Sequence, residues 1–185
     1  MSIILIAILS IIILLVLWLV IKYNSFIRLK NLLNEAWSGI DVQLKRRYDL
    51  IPNLVATVKG YSDHEKTIFT EVTRLRSAAM SATTIEDKVQ AEAGLTQALK
   101  TLFAVAESYP ELKANQNFLE LQKELSTIEN HLQLARRYYN GVERDYNTAI
   151  AIFPGNLIAS AMGFNKAPFF ELSTATERET PNVKF

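Results

Sequence analysis

The chain has no cysteine, so disulfides, a thiol nucleophile, a zinc ribbon and a lipidated lipoprotein cysteine are all excluded. Glycine and proline are scarce, six and five among 185 residues. Helix formers dominate instead, which argues against turn-rich β architecture and for an all-α fold. An excess of one charge is missing too: 20 Lys and Arg stand against 19 Asp and Glu. No bulk field therefore draws nucleic acid or an acidic substrate, and no nucleic-acid partner is expected. The sequence also lacks a Gly-rich phosphate loop, a Gly-x-Ser-x-Gly elbow and a hydrolytic triad. Of its two histidines, His64 lies in "HEKTI", without the second His of a zincin. His131 lies in "IENH", which is not the Glu-x-x-His that di-iron bundles use twice. No metal, cofactor or enzymatic activity is expected.

What is present begins with a long apolar run. From Ile3 to Ile21 only Ser10 and Trp18 interrupt aliphatic residues, and there is no charge. Nineteen helical residues at ~1.5 Å each cover ~28 Å, close to the ~30 Å hydrocarbon thickness. The run lacks the basic leader and small-residue cleavage site of a signal peptide, so an uncleaved anchor over 1–21 is expected. Lys22, Arg28 and Lys30 follow before the first acid, Glu35. By the positive-inside rule this places the N-terminus outside and the C-terminal domain in the cytoplasm of a bacterial inner membrane, with an envelope location as the alternative. Trp18 and Tyr23 fall where an interfacial aromatic belt is expected.

After the anchor, apolar positions follow steps of three and four. The clearest set is Phe118, Leu121, Leu125, Ile128, Leu132, Ala135, Tyr139, Val142, Tyr146, Ala149 and Phe153, ended by Pro154. An earlier set runs from Tyr23 through Phe26, Leu33, Trp37, Ile40, Leu44, Ile51, Leu54 and Val58, interrupted by Lys30 and Arg47. Gly60 as a C-terminal cap and capping boxes at Ser62/Glu65 and Thr83/Glu86 mark breaks, as does Pro110; Asn117 with Glu120 marks a further start. The spacing predicts helices over 22–59, 62–80, 84–108 and 115–153. Their short connections predict an up-and-down antiparallel four-helix bundle over 22–153 with coiled-coil-like seams. An apolar segment over 154–172 and a polar, disordered tail over 173–185 complete the expected organisation.

The stretch "KRRYDLIPN", residues 45–53, looks like a basic patch but is not one. At 100° per residue, Lys45, Arg46 and Arg47 spread over about 200° of the helix. Lys45 is placed to pair with Asp41, Arg46 faces water, and Arg47 falls on the apolar seam, where it needs a carboxylate or a water-filled gap. In antiparallel register with the last helix, Glu129 is the expected partner. Pro52 removes one helical hydrogen bond and crowds the carbonyl of Tyr48, so a kink is expected there. Lipid headgroups are out of reach, because Lys45 lies ~36 Å along the helix from Ile21.

Two later stretches carry further candidates. In "RRYYNGVERDYN", Tyr139 and Tyr146 repeat at seven on the seam, with Asn140 and Asn147 beside them; a structural role in the core is favoured over a ligand site. In "GNLIASAMGFNKAPFF", Leu157, Ile158, Met162, Phe164, Phe169 and Phe170 expose much apolar surface. Antiparallel parity returns this segment to the bilayer side. A membrane contact is one reading and a cap on the bundle end the other.

The segments "EAWSGIDVQLKRRYDLIPNLVATVKGYSDHE", "LFAVAESYPELKANQNFLELQKEL", "ARRYYNGVERDYNTAI" and "FPGNLIASAMGFNKAPFFE" together resemble the successive motifs of the LemA family of bacterial membrane-anchored proteins. The resemblance covers about Tyr23 to Glu171. It implies a four-helix bundle and kinship with magnetosome membrane proteins, hence a part in membrane organisation, and it brings no catalytic residues. Two functions are in contention. One is a non-catalytic single-pass protein whose bundle mediates assembly or partner docking, as a homo-oligomer or with a membrane-protein partner. The other is a sensor bundle binding a small anion near Arg47, Tyr139 and Asn140.

Overall fold

The computed structural model describes residues 2–61 and 65–170. Among them the chain is all-α, with six helices and no strand: α1 (Ser2–Lys59), α2 (Lys66–Ser81), α3 (Ile85–Ala106), α4 (Pro110–Lys113), α5 (Gln116–Ala151) and α6 (Gly155–Ala161). The expected anchor and first bundle helix are one continuous helix, with no glycine before Gly39 and no proline before Pro52 to break it. Of the two short helices, α4 was not anticipated, whereas α6 falls where one or two helical turns over Asn156 to Gly163 were allowed for. Pro110 does not only stop a helix but starts α4, at the first-turn position where its missing N–H costs nothing.

The expected boundaries shift by a residue or two at the caps. Thr84, not Thr83, caps α3, its hydroxyl accepting from the Asp87 N–H. Asn115, not Asn117, caps α5 by accepting from the Phe118 N–H. Glu65 makes no side-chain cap bond at the start of α2, and its expected partner Ser62 lies outside the described residues, as does His64. The polar tail over 173–185 also lies outside them.

The chain divides into two compact units. One comprises the residues before Ile40 with Arg137–Phe169; the other comprises Ile40–Arg136 with Phe170. In the first unit, the run from Ile3 to Ile21 is exposed apart from the half-covered Trp18. The pattern changes where the run ends: Phe26, Leu33 and Ala36 become buried at helical spacing while Lys30 stays in water. Trp37 meets Tyr139 edge to face, with ring centroids 5.6 Å apart. Phe26 meets Phe164 in the same way at 5.4 Å. Higher numbers on α5 and beyond thus lie beside lower numbers on α1, so within this unit α5 runs toward the apolar run.

In the second unit, Ile40, Leu44, Ile51, Leu54 and Val58 of α1 are buried with Val72 of α2, Leu95, Leu99 and Leu102 of α3, and Ile128 and Leu132 of α5. Pro52 lies on the exposed side of α1, and the helix continues through it. The carbonyl it leaves without a helical donor, that of Tyr48, accepts instead from Arg76 Nε of α2 at 2.7 Å. A helix defect therefore becomes an inter-helix bond. Arg76→Ala is expected to cost about 1–3 kcal/mol, because a part-buried carbonyl loses a strong donor. Pro52→Ala restores the local donor and should remove most of that cost. A double-mutant cycle from thermal unfolding checks the coupling, and additive effects of the two changes would contradict it.

Candidate functional site

The second unit holds a buried polar cluster. Arg47 is 2% exposed and Glu92 0%. Each sits on the core side of its helix, Arg47 three residues after Leu44 and Glu92 three before Leu95. Nη1 of Arg47 donates to Glu92 Oε2 at 2.9 Å, and Nη2 donates to Thr96 Oγ1 at 2.9 Å. Glu129 Oε2 of α5 lies 3.7 Å from the same Nη1, at the solvent edge with 34% of its side chain exposed. The Tyr48 hydroxyl donates to Glu92 Oε1, with the Ala79 carbonyl of α2 3.4 Å away. Four helices, α1, α2, α3 and α5, thus contribute to one network.

The network also has loose ends. Arg136, half-buried beside it, stacks its guanidinium over the Phe170 ring at 5.0 Å, while its covered Nε and Nη2 have no hydrogen-bond partner among the described residues. Burial holds its pKa below the ordinary arginine value, opposed by the charges of Glu129 and Glu92. Burial first, and then Glu92, push the Tyr48 phenol well above its usual value. Above about pH 10 the unfolded chain gives up this proton while the folded chain keeps it. Stability therefore falls as pH rises past that point, and it is fully present below. Urea unfolding at stepped pH should show a shallower alkaline decline for Tyr48→Phe than for the parent, although Tyr48→Phe starts from a lower stability because Glu92 loses a donor.

Sequence reasoning placed Arg47 on the core side and brought Glu129 near it. It missed Glu92, which is the closer partner. The signal was there: Glu92, Leu95, Leu99, Leu102 and Ala106 step by three and four, and all five are buried. Lys45 and Arg46 are exposed as expected, but Asp41 pairs with Lys88 of α3 at 2.8 Å rather than with Lys45. Tyr139 and Asn140 belong to the first unit, whereas Arg47 and Glu129 belong to the second.

In the first unit, the tyrosines and Asn147 strap down an extended segment. After Gly163, whose φ of 73° turns the chain where a Cβ is strained, residues 164–170 run without helix. The Tyr146 hydroxyl donates to the Asn165 carbonyl at 3.0 Å, and the Tyr139 hydroxyl to the Pro168 carbonyl at 2.9 Å. Asn147 presents its amide as a second backbone: Oδ1 accepts from the Ala167 N–H at 2.9 Å, and Nδ2 donates to the Ala167 carbonyl at 2.9 Å and to the buried Glu143. Asn147→Ala removes all three bonds and strands polar groups that are part-buried. A loss of about 2–3 kcal/mol is expected, with faster proteolysis after Asn165 as the local readout.

This geometry corrects part of the expected membrane-contact set. Leu157, Met162 and Phe169 are exposed, but Ile158 and Phe170 are buried and Phe164 is half-buried against Tyr23 and Phe26. They are core residues because α6 turns one face inward and the strap folds back. Phe169 follows Pro168, which is bonded at the level of Tyr139, so Phe169 lies about three turns back along α5 from its end at Ala151.

Among the described residues, one helix is long and apolar enough to cross a membrane, and no group of three or more metal-ligating side chains occurs. The polar cluster balances its own charges. Among the described residues these features define an all-helical protein with a candidate membrane segment and a buried polar cluster. The chain belongs to the LemA family, whose model matches residues 36–185. It is 24% identical to magnetosome protein MamQ 2 of Paramagnetospirillum magneticum, over 83% of this chain and 66% of that protein. It is 23% identical to magnetosome protein MamQ of Magnetospirillum gryphiswaldense, over 89% and 71% respectively. Protein LemA of Metamycoplasma hominis is 27% identical over 82% of this chain and 70% of its own length. The chain thus spans just under two thirds of the first of these relatives.

Proposed function

We propose that this chain is a non-catalytic, single-pass membrane protein whose helices 22–151 form an antiparallel four-helix bundle that mediates assembly or partner docking at the bilayer. The observation that carries the reading is the change within α1. Among the described residues the apolar run Ile3–Ile21 is exposed apart from the half-covered Trp18, and the same helix becomes amphipathic, with one face buried, from Phe26 onward. A surface of that size and composition is costly in water and suited to lipid. The meeting of α2, α3 and α5 with α1 around Arg47 and Tyr48 supports the bundle, and the magnetosome proteins among the relatives favour a part in organising membrane.

The basic residues after the run, Lys22, Arg28 and Lys30, favour a cytoplasmic C-terminal domain in a bacterial inner membrane. A C-terminal reporter fusion tests that side, and activity only outside the cytoplasm would reverse it. A small-anion site at Arg47 is not part of this reading, because Glu92 and Glu129 already supply the negative charge. Reconstitution of the full chain into liposomes, with imaging and crosslinking, is expected to show oligomers or altered vesicle shape. Strictly monomeric protein in unchanged vesicles would overturn the proposal.

A further inference from the structure

We infer that the chain touches the bilayer a second time, through the turn after α5 and the outer face of α6, with Phe153, Leu157 and Met162 seated at the boundary between lipid headgroups and acyl chains. The inference rests on the reading that Ile3–Ile21 spans the membrane. Its first support is position within the first unit. Gly155 lies against Phe26, where an added Cβ would come within 3.2 Å of the ring and 2.9 Å of the Ala149 carbonyl. Phe164 touches both Tyr23 and Phe26, with centroids 5.9 and 5.4 Å apart. These α1 residues follow Ile21 by two and five positions, about 3–8 Å along the axis. The headgroup layer outside the hydrocarbon is about 5–7 Å deep. The contacts therefore hold α6 at headgroup depth, and α5 runs toward that layer.

The second support is chemical. No charged residue occurs from Tyr146 to Asn165, so nothing in this stretch resists entering the interface. Gly155, Ile158 and Ala159 face inward and are buried, while Leu157 on the opposite face is 62% exposed. Phe153 and Met162, at either end of α6, are 78% and 61% exposed. Large apolar side chains beside an anchor on an uncharged surface are the composition of an interfacial contact, in which apolar groups enter the headgroup–acyl boundary without spanning. With two attachments, α1 and α6, the first unit is held in a fixed rotation about the anchor instead of turning freely.

The absence of native cysteine allows a direct test in the full chain. Phe153→Cys, Leu157→Cys and Ile12→Cys, and Ser126→Cys on an exposed side of α5 in the second unit, are each labelled with a polarity-sensitive dye. They are then reconstituted into phosphatidylcholine and phosphatidylglycerol vesicles, with circular dichroism to confirm parental helix content. The labels at 153 and 157 are expected to shift to the blue relative to 126, to be quenched several-fold more strongly by shallow spin-labelled lipids, and to resist iodide. The label at 12 should respond to deep spin-labelled lipids. Labels at 153 and 157 quenched by iodide as readily as at 126, with 12 still in lipid, would overturn the second contact alone. Shielding from both iodide and spin-labelled lipid would overturn it in favour of a protein partner or second copy. Loss of lipid quenching at 12 would remove the anchor and the inference together.

Discussion

Replacing Arg47 with alanine is expected to lower stability by about 3–5 kcal/mol, because it leaves Glu92 buried and without its countercharge. The loss is large because Glu92 is fully buried and cannot turn to solvent. Its remaining donor, the Tyr48 hydroxyl, carries no charge. Thr96 loses the guanidinium as well. The reverse change, Glu92→Ala, should also be harmful, since it leaves the buried Arg47 with only the part-exposed Glu129 as a countercharge, near the half-buried Arg136. Replacing both partners by apolar residues, Arg47→Met with Glu92→Leu, should recover most of the loss, because the desolvation of two charges disappears along with their attraction. Thermal unfolding of the four proteins in one detergent compares the losses. A loss under about 1 kcal/mol for Arg47→Ala, the range of exposed ion pairs, would show that water reaches the cluster.

Deleting residues 3–21 is expected to move the protein from the membrane to the soluble fraction. Sixteen of those residues are Ile, Leu or Val. At about 0.3–0.6 kcal/mol each on an insertion scale, they favour the bilayer by roughly 5–10 kcal/mol. The interfacial contact at Phe153, Leu157 and Met162 is much smaller in area, and contacts of that kind give reversible binding when alone. Vesicle flotation should therefore recover the full chain with lipid and the shortened chain mostly without it. Because the deletion leaves Phe26 and everything after it in place, the shortened chain should keep the helix content of the remainder. Full flotation of the shortened protein would assign membrane binding to some other surface.

The helical class, the seams and the position of Arg47 were legible because each is a periodic signal, and burial follows the period. Phe26, Leu33, Ile40, Leu44, Arg47, Ile51, Leu54 and Val58 are all buried at the steps read from the sequence. Phe153 shows where such reading fails: it continues the period, but α5 has ended at Ala151 and Ile150 takes the inward position. The choice between Glu129 and Glu92 depended on which helix lies nearest, which no spacing within one helix encodes. The strap over residues 164–170 was hidden for a different reason. It is held by side-chain bonds to backbone from Tyr139, Tyr146 and Asn147, and such bonds leave no repeat in the bound segment. Its last residue, Phe170, is buried, which removes it from the expected lipid-facing set. Arg76 was equally silent, since its role arises only because Pro52 lacks an N–H on a neighbouring helix.

The central claim is that the apolar start of α1 lies in lipid, and the chain carries its own probe for it. Its two tryptophans are Trp18 and Trp37. Trp37→Phe keeps an aromatic ring against Tyr139 and leaves Trp18 as the single indole. In reconstituted vesicles, Trp18 is predicted to emit at a blue-shifted wavelength, to be quenched by lipids brominated near the headgroup, and to be insensitive to iodide. Emission typical of water, quenched by iodide and untouched by brominated lipid, would contradict it.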